Sequence, residues 1–335
     1  MKKPLYLFNP LRMSRVDNTL QFSLYDEVGK EQKPAYRPIE TVESMYVFGS
    51  LDVNSALLNY LGQMHIPVHF FGYHENYTGS FMPKDYLLAG KAQIEQTRTY
   101  LDTGRRLHLA QGFIEGASAN MLRNLKYYRS RERAEMQQQI DAIERYEPLI
   151  AQTTNVPELM GIEGNCRQQY YAAFDSIIKD FEMGNRTRQP PSNEVNALVS
   201  FGNMMCYSLA LEAIYHTQLN PTISFLHEPG ARRYSLALDV AEIFKPILVD
   251  RVIFKVLNKR IIQAKDFDKK LNGCYLNKSG KETFVRAWEE RLNETIDHRG
   301  MSKKVSYRYL VRLECYKVMK YILENEPYKP FKMNW

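Results

Sequence analysis

The period of the apolar residues changes once along this chain, near Leu87, and this change limits the folds that the chain can adopt. Before that point, short runs of β-branched and aromatic residues are separated by Asn-Pro, Gly and Pro, as in strands joined by turns. After it, apolar residues recur at helical spacing. The sequence therefore predicts an α+β chain with a small N-terminal β-rich domain over 1–83, a linker over 84–95 and a larger all-α C-terminal domain over 96–335.

The individual elements can be placed from the same pattern, and the length of 335 residues suits two domains. Strands are expected at 5–8, 19–25, 45–48 and 68–71, with a helix at 54–62. Helices are expected over 91–129, 131–149, 163–183, 193–218, 235–263, 282–296 and 303–324.

Positive charge is confined to the helical part of the chain. Residues 1–95 contain nine Lys or Arg and ten Asp or Glu, which leaves 36 basic and 28 acidic residues in 96–335. A lobe with this excess is suited to a polyanion, and nucleic acid is the commonest polyanion in a cell. A solvated basic surface without a specific partner is the alternative.

The sequence favours a cytosolic protein that is independent of membranes. No run approaches the roughly 18 uninterrupted apolar residues of a membrane-spanning helix. The first ten residues lack the apolar stretch and cleavage site of a signal peptide. The four cysteines are far apart and form no CxxC pair, so we expect small buried hydrophobic residues and neither a structural disulfide nor a zinc site.

The chain has no Walker-type glycine loop, dinucleotide fingerprint or HExxH motif. The first candidate site residue is therefore an isolated acid, Glu163, which is expected at the entrance of the helix over 163–183. A carboxylate there is favoured by the helix dipole, and Glu163 could simply help to start the helix. Gly161 and Gly164 flank it and would allow another chain or a ligand to approach closely.

A second candidate cluster lies between residues 224 and 246. His227 closes an apolar run, and the helix that opens near residue 235 carries Asp239 and Glu242 three positions apart, on one face. Two carboxylates in so apolar a segment are costly to bury unless a cation compensates them. An arginine could be that cation. A divalent metal is the alternative, and carboxylate oxygen with imidazole nitrogen suits Mn²⁺ or Mg²⁺.

Basic residues in two loops are candidates for contacts with phosphate. Arg186 and Arg188 lie in one loop, and Arg232 and Arg233 follow His227 in the other. Beyond Pro246, charged residues recur near helical spacing from Asp250 to Arg260, which favours a solvated face, with a phosphate-facing stripe as the alternative.

These segments together resemble a known family, the spacer-acquisition integrase that is the first of the numbered CRISPR-associated (Cas) proteins. The resemblance runs nearly end to end, and its specific part is the histidine turn followed by the acidic helix. It is carried by YVFGS (46–50), HIPVHFF (65–71), GIEG (161–164), QPPSNEVNALVS (189–200), FLHEPG (225–230) and SLALDVAEIFKP (235–246).

The resemblance implies a site, a cofactor and partners. The metal ligands of the family would fall on Glu163, His227 and Glu242, with Asp239 as an accessory catalytic acid, and which of the two helix acids binds Mg²⁺ or Mn²⁺ directly stays open. The implied activity is that of a metal-dependent DNA integrase and endonuclease, in which a 3′-hydroxyl of new spacer DNA attacks a phosphodiester of the CRISPR repeat. The implied partners are double-stranded DNA, a second copy through the N-terminal domain, and the small second Cas protein.

Two other functions are compatible with the residues alone. The first is a non-catalytic nucleic-acid-binding scaffold in which the acids pair with Arg232 or Arg233. The second is an enzyme for small phosphorylated substrates, in which the basic lobe steers ligands and does not dock DNA.

Overall fold

The computed structural model describes residues 2–24, 32–72, 76–84, 87, 89–132, 135–188, 190–230, 234–270, 273–297 and 304–334. The chain divides into two compact units, Met1–Tyr86 and Leu87–Trp335. The first is rich in strands and the second is mainly helical, so the predicted α+β class is confirmed.

The N-terminal unit contains two four-stranded sheets and one helix. Its strands are β1 (Lys3–Leu7), β2 (Leu11–Val16), β3 (Thr19–Leu24), β4 (Ala35–Pro38), β5 (Val42–Val47), β6 (Leu51–Val53), β7 (Val68–Phe71) and β8 (Tyr77–Phe81). One sheet has the order β1-β5-β7-β8 and is parallel except for β7–β8. The other has the order β4-β3-β2-β6 and is antiparallel except for β2–β6.

Helix α1 (Ser55–Gln63) completes the core of this unit. The side chain of Asn54 accepts a hydrogen bond from the Leu57 backbone N–H, which caps the start of the helix. Leu57 and Leu61 are fully buried and join the core formed by alternate residues of the strands.

The C-terminal unit is built from nine described helices and two small hairpins. The helices are α2 (Gly90–Leu101), α3 (Thr103–Glu132), α4 (Gln137–Ile150), α5 (Val156–Ala172), α6 (Glu194–Tyr215), α7 (Ser235–Lys245), α8 (Arg251–Asn258), α9 (Lys278–Asn293) and α10 (Tyr307–Glu324). The hairpins are β9 (Phe267–Lys270) with β10 (Gly273–Leu276), and β11 (Thr295–Ile296) with β12 (Val305–Ser306). These four short strands are absent from the sequence prediction of an all-α domain.

The boundary between the units differs from the predicted linker. Helix α2 begins at Gly90, so residues 90–95 of the segment expected as a linker are helical. Ala89 precedes the helix without a side-chain cap, which removes the usual sequence signal for a helix start. At the other end, extended backbone at Asp102 divides the single helix expected over 91–129 into α2 and α3.

The expectation that Glu163 stands at a helix entrance is wrong. Helix α5 begins at Val156, and Glu163 lies two turns inside it. The Asn155 side chain caps the helix by accepting a hydrogen bond from the Glu158 N–H, and Pro157 occupies the first turn. The helix dipole at the N-terminus therefore does not account for Glu163.

Helix α6 is the central core helix of the unit. In the part of the chain that the structure describes, it is the one helix with the length and composition of a membrane span. However, 83% of its most apolar window is buried inside the protein. This burial is typical of the core helix of a globular protein.

A π-helical turn over Pro246–Asp250 joins α7 to α8. Pro246 cannot donate a backbone hydrogen bond, so the regular α-helix cannot continue through it. The side-chain amide of Asn124, on α3, donates to the Pro246 carbonyl at 2.5 Å and fixes this turn against the longest helix.

The last described residues, 326–334, have no regular secondary structure and form a segment that we call the C-terminal strap. Tyr328, Phe331 and Met333 of the strap are buried. The amide of Asn120, on α3, donates to the carbonyls of Ile243 (2.8 Å) and Phe331 (3.3 Å), and its oxygen accepts from the Met333 N–H (2.7 Å). One side chain thus joins the strap to α7, the helix that carries the two acids.

Candidate metal centre

The turn that carries His227 is fixed by one buried carboxylate. Oδ2 of Asp239 accepts the backbone N–H groups of Phe225 (2.7 Å) and Leu226 (3.0 Å). Its Oδ1 accepts the backbone N–H of His227 (3.0 Å) and lies 2.8 Å from the imidazole Nδ1. Asp239 is 0% exposed, so the carboxylate is used entirely within the protein.

This arrangement determines how the imidazole is presented. A proton on Nδ1 is shared with Asp239, which leaves the lone pair of the neutral ring on Nε2. Burial alone would lower the pKa of His227, but the hydrogen bond and charge of Asp239 raise the pKa above its ordinary value. Histidine ligands of metals are typically oriented by such a carboxylate at the other ring nitrogen.

Glu163 and Glu242 are brought together by a cation. Arg167, one turn after Glu163 on α5, donates from Nε to Oε1 of Glu163 at 2.5 Å. Its other end pairs with Oε2 of Glu242 on α7. Lys245 Nζ lies 2.6 Å from the second oxygen of Glu242.

The charges of this cluster compensate one another. Burial alone would raise the pKa of Glu242, but Arg167 and Lys245 outweigh burial and hold the pKa at about 2. Burial opposes the charge on Arg167, and Glu242 and Glu163 nevertheless raise its pKa well above the usual value. His227 also acts electrostatically on Glu242 and lowers its pKa, in the same direction as Arg167 and Lys245.

The donor set fits a hard divalent cation. Two carboxylates and one oriented imidazole nitrogen are ligands that Mn²⁺ accepts readily, and Mg²⁺ takes the same carboxylates. In this structure the positive charge comes from Arg167 and Lys245, so an ion at Glu242 would replace one of these contacts. Asp239 has no such freedom because its oxygens hold four hydrogen bonds.

The family of the chain follows from sequence comparison. A family model described as CRISPR associated protein Cas1 matches residues 5–290. A CRISPR-associated endonuclease Cas1 of Thermodesulfovibrio yellowstonii is 44% identical over 331 residues, which cover 98% of this chain and 99% of the relative. This chain belongs to the Cas1 family. The resemblance seen in the sequence is thereby confirmed.

Solved structures have the same fold. A Cas1 protein from Thermotoga maritima matches with a TM-score of 0.86 and 37% identity, covering 99% of this chain and 100% of the other. A casposase bound to an integration product matches with a TM-score of 0.86 at 19% identity, covering 99% and 93%. A Cas6-RT-Cas1–Cas2 complex contains a chain with a TM-score of 0.82 at 17% identity; the match covers 100% of this chain and 36% of that one. At such identities the last two show the fold alone.

The four predicted phosphate contacts of this Cas1 chain have different environments. Arg186 is half-buried and donates to Oδ1 of Asn196 and Oγ of Ser200, both at 3.1 Å, so its guanidinium anchors its own loop to α6. Burial lowers the pKa of Arg186. Arg188 is exposed. Arg232 and Arg233 lie outside the described residues.

Arg167 and Lys245 pair with the candidate ligands of this Cas1 chain, and Asp250 lies at the end of the π turn that follows α7; none of these three roles was predicted. The first two follow Glu163 and Glu242 by four and three positions, which is the spacing of helical ion pairs and could have identified them. Asp250 was assigned to a solvated face, but the structure buries it at the end of the π turn. Burial raises its pKa to about 7, although a hydrogen bond with Tyr170 opposes the shift.

The glycines beside Glu163 leave open space in this Cas1 structure. Within the described residues, a Cβ atom at Gly161 or Gly164 would have no heavy atom of another segment within 4 Å. The helix face next to the candidate ligand is therefore accessible to a ligand backbone, as the sequence suggested.

Proposed function

We propose that this Cas1 chain is a metal-dependent DNA integrase and endonuclease of CRISPR adaptation. It would insert new spacer DNA into the CRISPR array by attack of a 3′-hydroxyl on a phosphodiester of the repeat. The observation that supports this proposal is that Arg167 joins Glu163 to Glu242, while Asp239, on the same helix as Glu242, orients the imidazole of His227 through Nδ1. Family membership supports the reaction class.

The residues have distinct roles in this proposal. Glu163, Glu242 and Nε2 of His227 would hold Mg²⁺ or Mn²⁺, and Asp239 would orient the imidazole without contacting the ion. A bound divalent ion lowers the pKa of an attacking hydroxyl and neutralises charge on the attacked phosphate. With water as the nucleophile, the same site would nick DNA.

Arg167 and Lys245 gain a second role when an ion takes over Glu242. Their side chains are each 13% exposed, so both are largely buried beside the two carboxylates. A guanidinium released from a carboxylate binds phosphate oxygens with similar geometry. We therefore assign these two residues to the scissile phosphate, and Arg188, Arg232 and Arg233 to the DNA backbone further along; Arg186 would contribute through its loop.

The partners follow from charge and from the related structures. The positive lobe over 96–335 is the proposed catalytic and double-stranded-DNA-binding domain, and a casposase of the same fold has been solved on an integration product. The small second Cas protein is the proposed partner, since a complex that contains Cas1 and Cas2 includes this fold. The N-terminal domain would form the homodimer, and a cytoplasmic prokaryotic location without membrane attachment is expected.

A non-catalytic DNA scaffold is the second candidate, and one observation favours it. Glu163 and Glu242 are neutralised by Arg167 and Lys245 and need no ion to be buried. The predicted partners in that alternative were Arg232 or Arg233, whereas the contacts described are made by Arg167 and Lys245. A scaffold would bind DNA equally well in EDTA and join no strands.

The experiment is strand transfer of a short duplex with 3′-hydroxyl ends into a supercoiled plasmid that carries a CRISPR repeat. Wild type and His227→Ala are compared in Mn²⁺ and in EDTA, with the second Cas protein present. His108→Ala is the matched control, because His108 is an exposed residue of α3 stacked on Tyr321. We expect joined product that needs metal and His227 but not His108. DNA binding without joining by the wild type would establish the scaffold instead.

A further inference from the structure

The histidine turn is held from a second side by residues that lie outside the candidate metal centre. Arg106, on α3, donates from Nε to the Phe225 carbonyl at 3.0 Å and from its terminal nitrogen to Oε1 of Glu228 at 2.5 Å. The Tyr100 hydroxyl, on α2, donates to the other carboxylate oxygen of Glu228 at 3.0 Å. The Arg106 guanidinium also lies over the Tyr100 ring, 4.4 Å from its centroid.

These contacts complement those of Asp239 on the same turn. Asp239 binds N–H groups of residues 225–227 from the α7 side. Arg106 binds the carbonyl of Phe225 and the side chain of Glu228, so it holds the turn two residues before and one residue after His227. The turn that carries the imidazole is thus held by hydrogen bonds from two helices, with Asp239 on α7 and Arg106 on α3.

Helix α2 also holds the residues that precede the histidine turn. The buried amide of Gln96 donates to the carbonyls of Asn220 (3.0 Å) and Ile223 (2.8 Å) and accepts the Asn220 N–H (2.8 Å). The segment from 220 to 228 is therefore tied to α2 and α3 at both of its ends.

We propose that Arg106 and Glu228 are positioning residues for His227: together they set the direction of Nε2 and so the affinity of the site for its divalent ion. This inference rests on the proposed function. Outer partners that orient a metal-binding histidine commonly change metal affinity by about 10–100-fold.

The pair is suited to a test that separates orientation from stability. The Glu228 side chain is 66% exposed, and an ion pair with so exposed a carboxylate contributes little to stability. Neutralising Glu228 should therefore leave the fold intact while it releases the turn. A variant that loses metal affinity but keeps its stability would have lost the correct orientation of the His227 imidazole.

A direct contact between Arg106 and a DNA phosphate is the competing explanation, and Glu228→Gln distinguishes the two. The amide weakens the grip on Arg106 and frees its positive charge. If Arg106 served only to bind DNA, this variant would bind DNA as well as or better than the wild type and would join strands at the same Mn²⁺ concentration. If Arg106 positions the turn, the Mn²⁺ requirement should rise.

The experiment uses the full chain in four forms: wild type, Glu228→Gln, Arg106→Gln and Arg105→Gln. Arg105 is the matched control because it makes equivalent hydrogen bonds one residue away, to the carbonyls of Tyr321 and Ile322, both at 3.3 Å, and not to the histidine turn. The readouts are the Mn²⁺ concentration for half-maximal strand transfer, Mn²⁺ binding by calorimetry, the melting temperature, and the ring ¹⁵N shifts of His227 without metal.

For Glu228→Gln and Arg106→Gln, we expect about 10-fold weaker Mn²⁺ binding, a matching rise in the Mn²⁺ required and altered His227 ring shifts. Arg105→Gln should keep wild-type metal binding and ring shifts even if it melts earlier. Unchanged Mn²⁺ binding and ring shifts in Glu228→Gln would overturn the inference. Absence of strand transfer by the wild type would instead reject the proposed function, and the ring shifts would still decide whether the pair orients His227.

Discussion

The guanidinium of Arg167 is paired with the carboxylate of Glu242, and through this pair α5 and α7 share one charge-neutral cluster. An ion at this position would compete with Arg167 for the same oxygens. The competition can be measured by removing Arg167. Glu242 is then buried without its counter-charge, which lowers the stability of the folded protein, and a bound ion would restore it.

Arg167→Met should destabilise the metal-free protein by about 3–5 kcal/mol, since it leaves buried carboxylates with less compensation. Mn²⁺ should then raise the melting temperature of the variant more than that of the wild type, because the ion binds only the folded site. Arg98→Met, which breaks an exposed pair with Glu95, is the control and should cause little change. Equal Mn²⁺ shifts in Arg167→Met and wild type would mean that arginine and ion do not compete.

Asp250 predicts a specific dependence of stability on pH. Its pKa is about 7 in the folded protein and about 3.9 in an unfolded chain. Between these values the folded state holds a proton that the unfolded state has lost. The contribution of Asp250 to the free energy of unfolding therefore falls as pH rises from about 4 to 7, and stays low above that.

Asp250→Asn should remove this contribution, so its free energy of unfolding should fall less than that of the wild type between pH 4 and 7. Urea titrations at a series of pH values measure the difference. Asp268→Asn, at an exposed residue, serves as the control and should follow the wild type. Parallel wild-type and Asp250→Asn curves would rule out a protonated Asp250.

The sequence predicted the change from strands to helices near Leu87. One apolar period holds for many residues before that point and another for many residues after it. The residues alone predicted one candidate cluster of His227, Asp239 and Glu242, and only the family resemblance added Glu163 to it. Arg167 and Glu242 are 75 positions apart, and no local pattern reports such a contact. The start of α5 was missed because Gly161 and Gly164 interrupt the helical pattern, although the Asn155 cap was present in the sequence.

The division of work between the two helix acids could not be derived from spacing. Asp239 and Glu242 lie on one face, and only the three-dimensional path of the 225–227 backbone shows that Asp239 binds N–H groups there. Likewise, the helical spacing of Asp250 predicts an exposed position. The π turn over Pro246–Asp250 changes that spacing, and Asp250 is buried.

Two glycines on different helices should respond in opposite directions to alanine. A Cβ at Gly202 of α6 would lie 2.4 Å from a methyl group of Val249, so Gly202→Ala should destabilise the protein by about 1–3 kcal/mol. At Gly164 of α5 the space is open, and Gly164→Ala should stabilise the helix by up to about 1 kcal/mol. Chemical denaturation measures both. Destabilisation by Gly164→Ala would contradict the open face beside Glu163.

The C-terminal strap should make a measurable contribution through Tyr328. Its hydroxyl donates to Oε1 of the buried Glu314 at 2.5 Å, so Tyr328→Phe leaves that carboxylate short of a donor. We expect a loss of about 1–3 kcal/mol in the free energy of unfolding. Tyr36→Phe, at an exposed tyrosine of the N-terminal unit, should be neutral. A neutral Tyr328→Phe would show that the strap is not held by this bond.

The candidate ligands come from three stretches of chain, namely α5, the turn before α7, and α7 itself, and no two of them are neighbours in sequence. A truncated or proteolysed copy that lacks either helix therefore retains at most part of the donor set. If the protein cuts and joins DNA as proposed, a copy that has lost either helix would be inert and could not act as an unregulated nuclease on the genome.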